Sequence, residues 1–200
     1  MFSKIIYGLL LWCILLLFSC SPKNIMSKYY YQHAEELDKI EELYKTLYQR
    51  KPFTLGFTSK SFKNISLEII TDSLTYIYDF DINDTHLADT LKKYQLNVWG
   101  TYQLISLMKS IRCTWINNFD YYIDEQKHSL IFMSVKPVAL NAPFSNKKYY
   151  ILTYFSQKQY FDNNGRLLNN RGLKKLHRIN GEIFNRINDK VCYTISSRFR

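Results

Sequence analysis

A run of acidic and amide side chains in the middle of the chain is the first candidate for chemistry. Asp79, Asp81 and Asn83 offer oxygen ligands at alternating positions, as at the start of a calcium-binding loop. The match then ends, because Asp84 stands where that loop needs glycine and Thr90 where it needs a bidentate glutamate. We therefore predict no metal site here. The two strand carboxylates are expected to face solvent, and the residues after them to cap a helix.

The histidines are the next candidates, and the chain has four of them: His33, His86, His128 and His177. None has a second histidine or a cysteine at the spacing of a zinc site. His86 lies between Asp84 and Asp89, but it could act as a general base only if the fold brought a nucleophile close. The chain has no Gly-x-Ser-x-Gly, no His-Glu-x-x-His and only six glycines for phosphate-binding loops. We therefore predict a non-enzymatic protein with no catalytic residue and no cofactor.

The first twenty residues carry the most specific pattern in the chain. Lys4 precedes an apolar run over residues 5–18, and Leu17-Phe18-Ser19-Cys20 closes that run. A positive charge, an apolar core and a small residue before a cleavage point make up an export signal. The tetrapeptide resembles the lipobox of bacterial lipoproteins, in which the cysteine is lipidated and becomes the mature N-terminus.

This resemblance implies a signal peptide over residues 1–19, lipid attachment at Cys20 and a lipidated tether over residues 20–27. The protein would then face outside the cytoplasm, on the inner or the outer membrane of the envelope. A transmembrane anchor and a signal peptide for ordinary secretion stay open as alternatives. A helix over residues 5–20 would span roughly 24 Å, which is short of the roughly 30 Å that a transmembrane anchor must cross. Ordinary secretion would leave the cysteine without a role.

Positive charge is concentrated in the last part of the chain. From residue 145 onward, twelve lysines and arginines face three acidic residues, so this stretch carries +9 of the total charge of +10. Residues 21–144 are close to neutral. A basic segment attracts anionic surfaces, which in an envelope are lipid head groups or acidic glycans rather than nucleic acid. Lysines that face solvent and guard sheet edges against pairing are the alternative. The sequence predicts no particular protein partner.

Two cysteines remain for the folded domain, since Cys13 lies in the apolar run and Cys20 is the lipid acceptor. Cys113 and Cys192 could form a disulfide in an oxidising compartment, which would close a loop of about 80 residues. They could equally be two buried free thiols, because cysteine also behaves as a small hydrophobic residue.

The pattern of apolar residues predicts one α+β domain over residues 28–200. With 46% hydrophobic and 16% aromatic residues, the chain can build a core. Ser27 is predicted to cap an amphipathic helix that ends before Pro52. Alternating residues over 53–82 then predict a strand and a β-hairpin.

A helical pair is predicted next, capped at residues 83–85, with Gly100 as a break and a second helix from Thr101 to about Arg112. Strands follow at Trp115–Ile123 and Leu130–Val135, joined by a hairpin loop over Asp124–His128.

A C-terminal β-meander completes the prediction, although a helix over residues 172–188 stays open. Its features are a loop over 137–143, a strand over 147–156 and turns at Asn164-Gly165, Asn180-Gly181 and Asn188-Asp189. Residues 134–143 and this C-terminal region look similar to small uncharacterised lipoproteins of Gram-negative bacteria, a resemblance that implies no activity.

Tyrosine bands are the last candidates for ligand contact, at Tyr29-Tyr30-Tyr31, Tyr149-Tyr150, Tyr154 and Tyr160. Such rings either stack on ligands from the surface or pack in a sheet.

Taken with the lipobox resemblance, the basic C-terminal stretch and the missing catalytic motifs, these features predict a lipid-anchored envelope protein that acts as a binding or accessory module. Two alternatives stay open: a membrane-tethered hydrolase with a site assembled only by the fold, and a protective inhibitor or immunity lipoprotein.

Overall fold

The fold is described from a computed structural model, which describes residues 22–123, 125–137, 148–168 and 184–196. Several predicted features lie outside these residues: the signal peptide, Cys20, residues 138–143 of the predicted loop, the Asn180-Gly181 turn and most of residues 172–188. The loop was expected over 137–143, but Pro137 is the last residue of a strand. The chain divides into two compact units, residues 1–34 and 35–200. In the first unit, helix α1 spans Pro22–Gln32. The prediction that Ser27 caps a helix is wrong, because the helix begins five residues earlier and Ser27 lies inside it.

Three further helices follow α1 in the described ranges, and all of their residues except Ala34 belong to the second unit. They are α2 (Ala34–Arg50), α3 (Thr85–Lys93) and α4 (Val98–Ser110). Helix α2 buries one stripe, formed by Leu37, Ile40, Tyr44 and Leu47. It ends before Pro52 as predicted, since the residue before a proline resists helical angles.

Gly100 does not break the chain, contrary to the prediction. It lies in the first turn of α4, whose N-cap is Asn97, and its N–H donates to the Asn97 side-chain oxygen at 2.8 Å. A Cβ atom at this position would lie 3.0 Å from the Leu47 Cδ2 atom. The missing side chain at Gly100 therefore lets α2 and α4 approach each other closely.

The strands in the part of the chain that the structure describes form one antiparallel sheet of eight strands, in the order β3-β2-β1-β4-β5-β6-β8-β7. Their bounds are β1 (Phe53–Phe57), β2 (Asn64–Ile70), β3 (Thr75–Asp81), β4 (Trp115–Ile123), β5 (Gln126–Pro137), β6 (Tyr149–Phe155), β7 (Asn185–Arg186) and β8 (Val191–Ser196). The predicted α+β class is confirmed, with an N-terminal amphipathic helix, an inserted helical pair and C-terminal strands.

The β4–β5 hairpin is tighter than predicted. The loop was expected over Asp124–His128, but β5 already begins at Gln126. Glu125 has a positive φ of 65°, which lets the chain reverse within the short turn. A further turn was correctly predicted at Asn164-Gly165, where the glycine has a φ of 73°. The Asp162 carboxylate accepts from the N–H groups of Asn164 and Arg166 there.

Tyr44 joins α2 to the sheet where β1 and β4 separate. The ladder between these strands runs from Phe57, whose N–H donates to the Thr114 carbonyl at 2.7 Å, to the Leu55–Ile116 pair. Beyond that pair, the Tyr44 hydroxyl donates to the Phe53 carbonyl at 2.6 Å and accepts from the Asn118 N–H. Burial is the main cause that raises the pKa of Tyr44 above its ordinary value. The hydroxyl therefore replaces the next bond of the ladder.

The sheet has an apolar cluster on its other face, away from α2. It spans β4, β5, β6 and β8 and consists of Tyr121, Leu130, Phe132, Ile151, Phe155, Leu167, Phe184 and Cys192. On the same face, the β1–β3 part of the sheet carries mostly polar side chains. This difference leaves one end of that face open to solvent, and the candidate site lies there.

Candidate functional site

An open groove of about 470 Å³ lies over β1, β2 and β3, beside the first residue of β4. We call it the acidic groove, and its walls are Thr54, Gly56, Phe57, Thr58, Ser66, Glu68, Ile77, Asp79 and Trp115. Antiparallel pairing explains why these side chains meet. Glu68 is opposite Thr54 in β1 and Ile77 in β3, and Asp79 is opposite Ser66. Residues directly opposite each other share a face of the sheet.

Trp115 forms the aromatic wall of the acidic groove. It is paired with Gly56 across the β1–β4 ladder. A Cβ atom on Gly56 would lie 2.8 Å from the Trp115 Cδ1 atom, so the indole lies directly against the glycine backbone. Only glycine leaves room for the ring at this distance. The indole supplies an apolar wall beside the carboxylates, which suits ligands that combine an apolar or cationic part with hydrogen-bonding groups.

The charge of the groove is opposite to that of the chain. Glu68 and Asp79 form no ion pair with any side chain in the described ranges. The whole chain carries +10. Two carboxylates that lack a cationic partner in an open groove favour a cationic ligand. Opposite charges attract a ligand to the groove, and like charges repel it.

A second cleft of about 390 Å³ lies between the end of α2 and the β4–β5 hairpin. Asp120, His128 and Ser129 all border it, which are the residue types of a hydrolytic triad. The triad is not assembled, however. Neighbouring strand residues point to opposite faces, and the His128 ring lies 5.4 Å from the Tyr121 ring. Asp120 is engaged elsewhere: it accepts from Lys127 and from Asn118, both at 2.8 Å.

The residues of the calcium-like run, 79–84, lie in a hairpin strand and at a helix N-cap, as expected. Asp79 and Asp81 lie in β3, and Asp84 is the N-cap of α3, where it accepts from the His86 N–H at 2.9 Å. In the part of the chain that the structure describes, no three His, Cys, Asp or Glu side chains are placed to hold a metal ion.

His86 and Asp84 do come together, as the hydrolase alternative required. The His86 Nδ1 atom lies 2.7 Å from an Asp84 oxygen. Hydrogen bonds from the backbone and ring of His86 lower the pKa of that carboxyl group. Asp89 takes no part in this pair, and the His86 side chain is 80% exposed. No described serine, cysteine or threonine is hydrogen-bonded to the ring, so the pair lacks a nucleophile.

Cys113 and Cys192 are buried free thiols, which is the second of the two alternatives for them. Cys113 precedes β4 and Cys192 lies in β8, with β5 and β6 between those strands. At about 4.8 Å per strand, β4 and β8 are roughly 14 Å apart. A disulfide needs Cα atoms within about 7 Å. The sheet therefore keeps the two thiols apart.

The thiols are expected to resist modification in the folded chain. Burial raises the pKa of Cys113 to about 12 and raises that of Cys192 as well. Because the thiolate is the reactive form, iodoacetamide at pH 8 should label neither residue before denaturation and both afterwards. Peptide mapping by mass spectrometry measures each site separately. A Cys113–Cys192 linked peptide under non-reducing conditions would contradict the assignment.

The tyrosine bands are divided between core and surface. Tyr150 and Tyr154 are buried in β6, while Tyr160 is 77% exposed and Tyr31 is 65% exposed. A separate trio, which the sequence did not suggest, lies near the β3 edge. The hydroxyls of Tyr78 and Tyr94 are 2.7 Å apart, and the Tyr76 ring lies 5.5 Å from the Tyr94 ring.

A basic cleft of about 460 Å³ contains Arg50, Lys51 and Lys93. Arg50 is in the last turn of α2 and Lys93 in the last turn of α3. Cations are favoured at helix C-termini by the helix dipole. These positions are therefore explained without a bound anion.

Comparisons with protein-family models, with curated proteins and with solved structures found no match to this chain. Within the described ranges, none of the helices has the length and apolar character needed to cross a membrane.

Proposed function

We propose that the chain is an exported lipoprotein, anchored to the envelope through Cys20, whose folded domain is a non-enzymatic binding module. The observation that supports lipid anchoring is a sequence pattern: Lys4 comes first, an apolar run over residues 5–18 follows, and Leu17-Phe18-Ser19-Cys20 closes it. The same order directs export and marks the residue to be lipidated in bacterial lipoproteins. More than one acyl chain at the N-terminus would hold the domain stably at a membrane surface.

Binding is preferred over catalysis because of how the side chains are used. The carboxylates Glu68 and Asp79 lie at an open groove beside Trp115, without an ion pair among the described residues. Asp84 caps a helix, and Asp120 is engaged by a lysine and an amide. The unpaired charge is thus at a surface that a partner can reach.

The anchor is tested by the mass of the purified protein and by Cys20→Ser. The wild-type chain should start at residue 20 and carry the mass of its acyl chains. The Cys20→Ser variant should lack that mass and leave the membrane fraction. Cys13→Ser is the matched control, since it changes the other cysteine of the same segment and should behave as wild type. A wild-type chain that keeps Met1 would refute the anchor.

The unacylated variant also tests the basic C-terminal stretch as a contact with anionic surfaces. Vesicles that contain anionic lipid should retain Cys20→Ser protein at low salt and lose it as salt rises, while zwitterionic vesicles should retain none. Retention that does not depend on salt would contradict an electrostatic contact.

The tethered hydrolase remains the second candidate, on the strength of one contact. The 2.7 Å approach of Asp84 to the His86 Nδ1 atom holds the ring as a carboxylate holds a catalytic histidine. It ranks second because both side chains are at the exposed start of α3, with no described nucleophile bonded to the ring.

A further inference from the structure

The outer edge of the sheet at β3 is free of a partner strand among the described residues. Two hydrogen bonds at the ends of the strand show which of its residues bond to β2. The Ile82 N–H donates to the Lys63 carbonyl at 2.8 Å, and the Thr71 N–H donates to the Leu74 carbonyl at 2.9 Å. In an antiparallel ladder, bonded residues alternate along each strand. The even-numbered residues of β3 therefore bond to β2.

The odd-numbered residues consequently direct their backbone groups away from the sheet. Thr75, Ile77 and Asp79 each present one N–H and one C=O at this edge, and all three residues are exposed. No described residue bonds to these six groups. An open row of donors and acceptors is a template for another strand.

The side chains along this edge differ between the two faces of the sheet. On the groove face lie Asp79 and Asp81, with Glu68 in the neighbouring strand opposite Ile77. On the helix face lie Leu74, which is 58% exposed, and the rings of Tyr76 and Tyr78. The groove face thus carries three carboxylates around the exposed side chain of Ile77, and the helix face is apolar and aromatic.

We propose that the β3 edge binds an extended segment of a partner protein as a ninth strand, in which basic residues alternate with apolar ones. The backbone of the segment pairs with Thr75, Ile77 and Asp79. Its basic side chains lie on the groove face against the carboxylates, and its apolar side chains lie on the tyrosines. This inference rests on the proposed function, because it names the kind of partner that the binding module recognises. Strand addition takes its affinity from main-chain bonds and its specificity from alternate side chains.

A second copy of the chain fits the edge less well. Antiparallel pairing of two β3 strands would bring Asp79, Asp81 and Glu68 of both copies to the same face. Like charges opposite each other destabilise a strand pair. The same repulsion does not act against a basic segment.

The probe is a blocked nonapeptide of alternating lysine and valine, titrated onto the full chain in detergent. The control peptide has the same composition with its lysines in one block, so it keeps the charge and loses the alternation. The alternating peptide should bind at least about tenfold more tightly, since only it satisfies both faces and the edge together. Its affinity should fall with salt and with Glu68→Gln.

The backbone contact is tested with Ile77→Pro against Ile77→Thr. Proline removes the outward N–H but no bond to β2, and edge strands tolerate it in that position. Threonine keeps the N–H and also loses the apolar side chain. Proline should weaken peptide binding about tenfold more than threonine does. If circular dichroism shows that Ile77→Pro does not fold, a peptide with N-methyl groups on alternate residues tests the same bonds on unchanged protein.

Each contrary outcome has a distinct meaning. Equal binding of the two peptides, or equal affinities for the two variants, would overturn strand addition. Self-association without peptide binding would assign the edge to a second copy. A monomer that binds neither peptide would mean that the acidic residues only protect the edge against pairing.

If the chain is acylated at Cys20 but binds no peptide, this inference fails and the proposed function stands. Peptide binding by a chain that is not acylated would remove the anchor and leave the edge site.

Discussion

Replacing Tyr44 with phenylalanine is expected to lower the free energy of unfolding by about 2–6 kcal/mol. The hydroxyl donates to the Phe53 carbonyl at 2.6 Å and accepts from the Asn118 N–H. Tyr44 is fully buried, so phenylalanine would leave both backbone groups without a partner. A buried polar group that loses its partner costs about 1–3 kcal/mol, and two are affected here. The ring itself, which packs 5.2 Å from the Phe53 ring, would remain.

Urea denaturation followed by circular dichroism measures this loss, provided that the m-value stays constant. Tyr48→Phe is the matched control, since Tyr48 lies one turn further along α2 and is only half-buried, with its hydroxyl bonded to the Asn118 side chain. It should cost less than about 1 kcal/mol. Equal losses in the two variants would show that the Tyr44 hydroxyl does not bridge β1 and β4.

The sequence predicted most of the strands because their apolar residues alternate. β4 was predicted with its observed bounds, and β1 through β3 followed from the alternation over residues 53–82. Errors arose where local signals depend on partners distant in sequence. Gly100 looked like a helix break, but Leu47 from another helix needs the space that its missing side chain leaves. Tertiary packing of this kind overrides a residue's own preference.

The acidic groove could not be predicted from the sequence. Glu68 and Asp79 lie in different strands, and Trp115 follows them by more than thirty residues and two helices. They meet because β4 returns to pair with β1 instead of extending the sheet beyond β3. The same return leaves β3 at the edge. Asp79 was correctly expected on the solvent side of a hairpin, but only the strand order shows that this strand has a free side.

The His86–Asp84 pair, by contrast, could be anticipated, since only Thr85 lies between its members in the sequence and a helix cap brings them together. Local contacts follow from spacing, whereas a nucleophile must be supplied by the fold. The disulfide alternative likewise depended on the fold, which spacing in the sequence does not reveal. Spacing along the chain permitted a bridge between Cys113 and Cys192, but two strands lie between their positions in the sheet.

Replacing Gly56 with alanine is expected to lower the free energy of unfolding by about 1–3 kcal/mol, as for other overpacked sites. The added Cβ atom would lie 2.8 Å from the Trp115 Cδ1 atom, a distance at which one of the two groups must move. The indole is the freer group, because Gly56 is buried in a central strand. The variant should therefore move the ring that forms the wall of the acidic groove.

A double-mutant cycle with Trp115→Ala separates this clash from any backbone effect. Without the indole, alanine at residue 56 has room, since its next neighbour, the Thr114 carbonyl oxygen, lies 3.5 Å away. Gly56→Ala should then be neutral or stabilising by up to about 1 kcal/mol, because it restricts the unfolded chain. The coupling energy from urea denaturation of the four proteins should be about 1–3 kcal/mol. Equal costs in the two backgrounds would mean that the strand backbone, and not Trp115, requires glycine at this position.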